Sequence, residues 1–228
     1  MVPATQRRSA APIAAEWLGR IGYDEAVELQ RRAAAGLAAG GEERFFLLEH
    51  EPVYTLGRNA RASDVLFSPA RRRALGIDVC ESDRGGQVTY HGPGQLVGYP
   101  ILNLSPDRRD VKRYVTDLEE VLIRTLAGLG IPSARSDRKE RVTSVWVGND
   151  KIAAIGVHLS RWITTHGFAL NVTDEPLPFF DGIVPCGIRD GGVTSIERLS
   201  GRRMAIPDLL APLCRHFEQV FGREIIRT

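Results

Sequence analysis

The sequence predicts an α+β fold, mixed sheets flanked by helices, and three observations carry that prediction. Two long amphipathic helical segments stand far apart in the chain. Several β-patterned segments follow one another between and after them with no helix in each gap, so strict strand and helix alternation is absent. No Ser/Pro/Gly-rich linker divides the 228 residues, a length that can bury roughly 70% of its unfolded surface in one core. One domain over 13–228 is therefore expected, preceded by a frayed tail over 1–12.

Taken in order, Asp24 to Ala39 carries Ala26, Val27, Ala33, Ala34 and Leu37 at helical spacing and stops at Gly40-Gly41. Strands are expected at Arg44–Glu49 and Val53–Leu56, separated by the Glu51-Pro52 break, and at Ile77–Glu81, which makes Cys80 a buried or half-buried strand residue. The second long helix starts at Asp110 as N-cap, places Tyr114, Leu118, Val121, Leu122 and Leu126 on one face, and ends near Gly130 and Pro132. Thr143–Val147, the turn residues Gly148-Asn149-Asp150 and Lys151–Val157 read as a β-hairpin with Lys151 opening the return strand. Trp162–Thr165 and Gly167–Val172 continue the sheet. Thr194 with Glu197 reads as a capping box, and a final helix opens at Pro207 with Leu209, Leu213, Phe217 and Phe221 on its apolar face and Cys214 beside it.

The charge balance, 30 basic against 28 acidic residues, excludes the broad basic field of a nucleic-acid binder. Only Lys112, Lys139 and Lys151 among the basic residues are lysines, and lysine, unlike arginine, can lose its proton in a protein. Three cysteines without a CxxC spacing argue against a disulfide framework or a zinc site. No stretch approaches ~20 apolar residues and the first residues lack an apolar signal core, so the expected location is the cytoplasm, with no membrane contact.

Two segments concentrate chemistry. Arg84 to Pro100 holds five glycines with Arg84, Gln87, Thr89, His91 and Gln95 among them. Glycine allows positive φ and close approach of backbone to a ligand. The Gly92-x-Gly94 spacing, with Pro93 inside and a strand-like segment after it, does not make a dinucleotide loop, and no phosphate-loop GxxxxGK[ST] occurs. In Asp181 to Ile188, Cys186 stands between Pro185 and Gly187 in an expected turn, which makes its sulfur more accessible than those of Cys80 and Cys214. A thiol near pKa ~8.5 needs a partner to ionise. His91, His158, His166 and Lys151 are all candidates, whereas His50 and His216 read as structural.

The run Arg84-Gly85-Gly86-Gln87-Val88-Thr89-Tyr90-His91-Gly92-Pro93-Gly94-Gln95-Leu96-Val97-Gly98-Tyr99 resembles the signature of the lipoate-protein octanoyltransferases, in the biotin/lipoate protein ligase superfamily. The segments Lys151–Gly156, Gly167–Val172 and Ile183–Gly187 are similar to that family's later blocks in order and spacing, and the likeness covers about residues 13 to 222. The resemblance implies the biotin/lipoate ligase catalytic fold. It implies transfer of octanoyl from octanoyl-acyl carrier protein to a lysine of lipoyl domains, those of 2-oxoacid dehydrogenase E2 subunits and the glycine cleavage H protein. It also implies a thioester on Cys186 with Lys151 as its catalytic partner, and no cofactor or metal. Substrate-binding segments implied the same way are Arg84, Gly85, Gly86, Gln87, Val88, Thr89, Tyr90 and His91, then Ala154, Ile155 and Gly156, then Gly167, Phe168 and Ala169.

That chemistry suits the residues. Two-step acyl transfer needs one nucleophile and one reversible base, backbone amides near Gly156 or the glycine run could hold the oxyanion, and small residues would line an acyl slot. The family's acidic partners lead one to expect a local arginine patch drawn from Arg84, Arg58 or Arg161. Competing readings are an ATP-dependent lipoate or biotin ligase of the same fold, a non-catalytic scaffold that binds lipoyl domains, and a cysteine hydrolase.

Overall fold

A computed structural model describes residues 11–136, 143–184 and 191–228. In chain order the elements are β1 (Ile13–Ile21), α1 (Tyr23–Ala38), β2 (Arg44–His50), β3 (Val53–Leu56), α2 (Pro69–Ala74), β4 (Asp78–Glu81), β5 (Val88–His91), β6 (Gln95–Ile101), α3 (Val111–Ala127), β7 (Ala134–Arg135), β8 (Ser144–Val147), β9 (Asp150–Ser160), β10 (Ile163–Asn171), β11 (Gly192–Val193), α4 (Ile196–Ser200), α5 (Ile206–Phe221) and β12 (Ile225–Arg227). The fold is α+β, as expected. The expected tail lies outside the described residues up to residue 10, while Ile13 opens β1, a strand that alternation in Ile13-Ala14-Ala15-Glu16 did not reveal.

The large sheet runs β12-β1-β2-β6-β10-β9-β8-β7, with β11 pairing β9, and a small sheet runs β4-β3-β5. Period-two alternation explains how the large sheet is covered on both faces. In β2, Phe45 and Leu47 join a core with α3 and α5, while Phe46 and Leu48 join a second core with Ala26 and Leu37 of α1. From α3, Leu118, Val121, Leu122 and Leu126 are fully buried, each contributing about 1.5–3 kcal/mol of transfer free energy. Asp110 caps α3 by accepting the Arg113 N–H at 3.0 Å.

The small sheet has its own core of Tyr54, Ile77, Val88, Tyr90 and Ile183. The glycine-rich run therefore does more than form a hairpin. β5 ends in the small sheet and β6 belongs to the large one, so the Gly92-Pro93-Gly94 turn carries the chain between sheets. Gly94 takes φ +83°, and a side chain there would meet Thr173 Oγ1 at 2.0 Å.

Three local expectations are corrected. The expected strands Trp162–Thr165 and Gly167–Val172 form the single strand β10, with His166 held at φ +57° inside it. Asp150, ahead of Lys151, opens β9. The cap of α4 is Ser195, whose Oγ accepts the Arg198 N–H at 3.0 Å; Thr194 is one residue too early, and Glu197 instead accepts the Asp174 N–H at 3.1 Å.

Candidate active site

The segment before β5 is held in place by backbone. Amides of Gly57, Arg58 and Asn59 donate to the carbonyls of Gln87, Arg84 and Gly86 at 3.1–3.3 Å, and Gly85 N–H donates to Val157 of β9 at 3.0 Å. Gly57 is required there, because a Cβ would lie 2.5 Å from the Gly86 oxygen. The Arg84 side chain is buried. It donates from Nε to Thr55 Oγ1 at 3.1 Å and from Nη2 to the Thr55 carbonyl at 2.7 Å. Arg84 thus ties the glycine segment to β3 and cannot belong to a surface arginine patch, contrary to the expectation for it.

Across from this wall run β9 and β10, with Gly156 directly opposite Gly167. Both sites need glycine for space. A Cβ on Gly156 would come 2.8 Å from the Gly85 oxygen, and one on Gly167 would come 2.1 Å from the Gly98 oxygen on β6. The two walls enclose a cavity of about 570 Å³, within the range of small-molecule sites. Val88, Val115, Ile155, Val157 and Phe168 give it apolar surface, and Arg84, Thr89, His91, Lys151 and His166 give it polar groups.

Lys151 is half-buried on β9, with Nζ 5.3 Å from the centre of the Trp146 ring. The register shift between Val145 and Trp146 on β8 brings Trp146 opposite Lys151. On the other side Val193 of β11 pairs with Lys151, and Thr194 N–H donates to the Lys151 carbonyl at 3.0 Å. Cys186 lies outside the described residues. The residues flanking that segment are fixed: Val184 N–H donates to the Asp64 carbonyl at 2.8 Å, and Gly192 pairs with Asp150. Burial pushes the Cys214 thiol up to about 11 and raises that of Cys80 as well, with Asp24 and Asp78 adding to the shift. Neither is suited to act as a thiolate.

Histidines crowd the cavity wall. His91 meets Gln95 Oε1 through Nδ1 at 2.7 Å; Gln95 Nε2 donates to the Tyr90 carbonyl and to Asn171 Oδ1, and Asn171 Nδ2 donates to the Thr194 carbonyl. Because the carbonyls can only accept, both amides are oriented, and the His91 tautomer is fixed with its proton on Nδ1. Burial, then His50 and Arg84, depress the pKa of His91 well below the usual histidine value, so its ring is neutral. His50 donates from Nδ1 to the Ile21 carbonyl and accepts the Tyr99 hydroxyl at 2.7 Å, and burial lowers its pKa to about 4. His166 donates from Nε2 to Asp83 at 2.7 Å. Burial lowers the His166 pKa although Asp83 opposes it. Partial burial likewise opposes ionisation of Asp83, but His166 and His158 hold that carboxyl below its usual value.

Of the substrate-binding residues expected from sequence, Arg84 to Thr89, His91, Ala154 to Gly156 and Gly167 to Ala169 line the cavity together with Lys151. Tyr90 is not among the lining residues. Its ring packs in the small-sheet core, stacked on Phe179 at 4.9 Å. Tyr23, Asn59, Tyr99, Val115, Thr143, Val157 and His166 also line the cavity. Of these, His166 was weighed only as a cysteine partner, and the others carried no local signal, since tertiary packing alone brings them in. Among the described residues no group of three His, Cys, Asp or Glu could hold a metal ion, and no helix is long and apolar enough to cross a membrane.

The model of the lipoyl protein ligase A/B catalytic domain matches residues 22–218. An octanoyltransferase of Rubrobacter xylanophilus is 50% identical over 203 residues, covering 88% of this chain and 89% of that protein. One of Solibacter usitatus is 47% identical, covering 92% and 93%. Among solved structures, a lipoate-protein ligase A bound with ATP superposes with TM-score 0.75 at 15% identity, covering 96% of this chain and 88% of that one. A biotin protein ligase of Aquifex aeolicus in complex with biotin and ATP gives TM-score 0.56 at 13% identity, covering 92% and 70%. These two show a shared fold.

Proposed function

Since the chain belongs to the lipoyl protein ligase A/B catalytic-domain family and is an acyltransferase akin to the octanoyltransferases, we propose that it moves octanoyl from octanoyl-acyl carrier protein to a lysine of lipoyl domains through a thioester on Cys186. The acceptors are the lipoyl domains of 2-oxoacid dehydrogenase E2 subunits and the glycine cleavage H protein; a solved lipoate protein ligase of Thermoplasma acidophilum with the same fold is described together with its E2 lipoyl domain. The work is done in the cytoplasm by one domain spanning 13–228, with no cofactor.

The observation that carries this reading is the convergence of Lys151 and the Arg84–Thr89 wall on one cavity. The Cys186 thiolate attacks the carbonyl carbon of the donor thioester, and the oxyanion collapses to expel the carrier's thiolate, which takes up the cysteine's proton by way of Lys151. The acceptor amine then attacks the enzyme thioester. Its extra proton passes to neutral Lys151 and on to the departing Cys186 sulfur, so the enzyme is regenerated and one amide bond replaces one thioester. Connectivity supports the assignment of Cys186. Seven residues after it, Val193 is in register with Lys151. The apolar lining suits the octanoyl tail, and His91, neutral with Nδ1 committed to Gln95, keeps Nε2 as an acceptor at the wall.

The test is mass spectrometry of the protein after incubation with octanoyl-acyl carrier protein in the absence of ATP. An octanoyl adduct on Cys186, absent from Cys186→Ser and discharged by a lipoyl domain, is the expected result. Turnover that requires ATP and leaves Cys186 unmodified overturns the reading in favour of a ligase.

A further inference from the structure

Residues 58–75 carry five arginines (Arg58, Arg61, Arg71, Arg72 and Arg73) and a single carboxylate, Asp64, in a chain whose charges otherwise nearly cancel. Arg108, Arg135, Arg203 and Arg223 all pair with carboxylates. None of the five arginines here has a carboxylate of the described residues within 4 Å, and Asp64 is occupied in accepting the Arg61 N–H at 2.7 Å. Arg71 lies over the Phe67 ring and Arg72 donates to the Phe67 carbonyl, so the helix α2 presents a held row of guanidinium groups.

Apolar residues stand within the same strip. Leu66 is 57% exposed, Leu75 40% and Val184 42%, three of the six large apolar side chains exposed among the described residues. Leu66 and Val184 share one surface because Leu66 N–H donates to the Gly182 carbonyl, Val65 bridges Ile183, and Val184 N–H donates to the Asp64 carbonyl, while Leu75 closes α2. Exposed apolar points in a rim of mainly positive charge, where Asp64 and Asp181 are the carboxylates beside five arginines, are the pattern of a protein-docking surface. The same strip is bonded at 57–59 to the cavity wall, and at Val184 it runs into the segment that holds Cys186.

From this arrangement we infer that Arg61, Arg71, Arg72 and Arg73, with Leu66 and Val184, form the docking surface for an acidic protein that delivers the acyl group on a long flexible thioester arm. The inference rests on the proposed function. Charge complementarity selects an acidic face, and reach selects the donor over the acceptor. The cavity lining extends along this strip only to Asn59, leaving α2 one segment away from the mouth. A long arm spans that offset, whereas a lysine with a four-carbon stem needs its domain seated on the mouth itself. Complementary charge acts mainly on encounter rate and orientation, so it is read in KM and in salt dependence.

The test compares wild type with the double variant Arg61→Glu/Arg73→Glu, neither of whose side chains packs on the core, and with Arg71→Gln/Arg72→Gln. Steady-state transfer is measured with octanoyl-acyl carrier protein and with octanoyl-pantetheine, which lacks the protein. The expected result is a rise of roughly tenfold or more in KM for the carrier donor, with kcat and the KM for octanoyl-pantetheine unchanged, and a wild-type carrier KM that climbs with salt. An unmoved carrier KM, or a rise for the lipoyl domain in its place, overturns the inference. Failure of the underlying function shows separately, as no acylation of the wild-type protein by either donor.

Discussion

The imidazole of His91 and the backbone of Lys151 are the two ends of one hydrogen-bonded chain that runs through Gln95, Asn171 and Thr194. It crosses from β5 through β6 and β10 to β9, so the polar groups of the two cavity walls are held to a common frame. Gln95→Leu keeps the volume but strands the His91 Nδ1–H, the Asn171 oxygen and the Tyr90 carbonyl. An unpaired buried group costs about 1–3 kcal/mol, and misplaced catalytic geometry can cost roughly 100-fold in rate. The variant is expected to lose about 3 kcal/mol in urea unfolding and to transfer octanoyl far more slowly. A variant as stable and active as wild type removes any role for the chain.

Gly167 and Gly36 make opposite predictions for the same substitution. At Gly167 an added methyl lands 2.1 Å from a β6 carbonyl in the middle of the large sheet, where overpacking costs typically 1–3 kcal/mol and occasionally more. Gly36 lies inside α1 with nothing within 4 Å of its Cβ position, so Gly36→Ala gains about 0.5–1 kcal/mol from helix propensity. Denaturant midpoints of the two alanine variants should move to opposite sides of the wild-type value.

Legibility in the sequence followed the range of the interaction. α1, α3 and α5 were readable because their apolar spacing and end signals are local, as were the hairpin of β8 and β9 and the glycine wall. Arg84 was readable as a site residue, but its burial was not, because Thr55 is 29 residues away. β1 was missed because its alternation is filled by small and charged residues and its pairing partners, β2 and β12, are distant in the chain. An arginine patch was expected from Arg84, Arg58 or Arg161; Arg84 is buried, and the surface proposed above draws on Arg61 and the run Arg71-Arg72-Arg73.

Buried histidines make the fold acid-sensitive. Burial holds His50 at about 4 and depresses His91 and His166, so the native state refuses protons that the unfolded chain accepts near pH ~6.5. The histidine contribution to the unfolding free energy is then level above that pH and declines as the pH falls toward 4. The slope approaches about 1.4 kcal/mol per pH unit for each histidine that stays neutral. Urea titrations at about pH 7.5 and about pH 5 measure it, and His50→Gln should flatten part of the decline. Stability that is constant over this range contradicts the neutral assignment.

Lys151→Arg separates the two tasks proposed for this lysine. Arginine keeps the positive charge that the proposed dyad sets against Cys186, so thiolate formation and loading from the donor should survive. It cannot lose a proton in a protein, so the acceptor amine is left without a base, a loss of roughly 100- to 10,000-fold in the second step. Single-turnover mass spectrometry should therefore show the octanoyl-enzyme accumulating in Lys151→Arg and persisting when a lipoyl domain is added. Lys151→Ala should slow loading as well, since the charge is gone along with the base. Equal rates of discharge in wild type and Lys151→Arg would assign the proton to another group, and His91 and His166, which share the cavity wall, would be the next side chains to substitute.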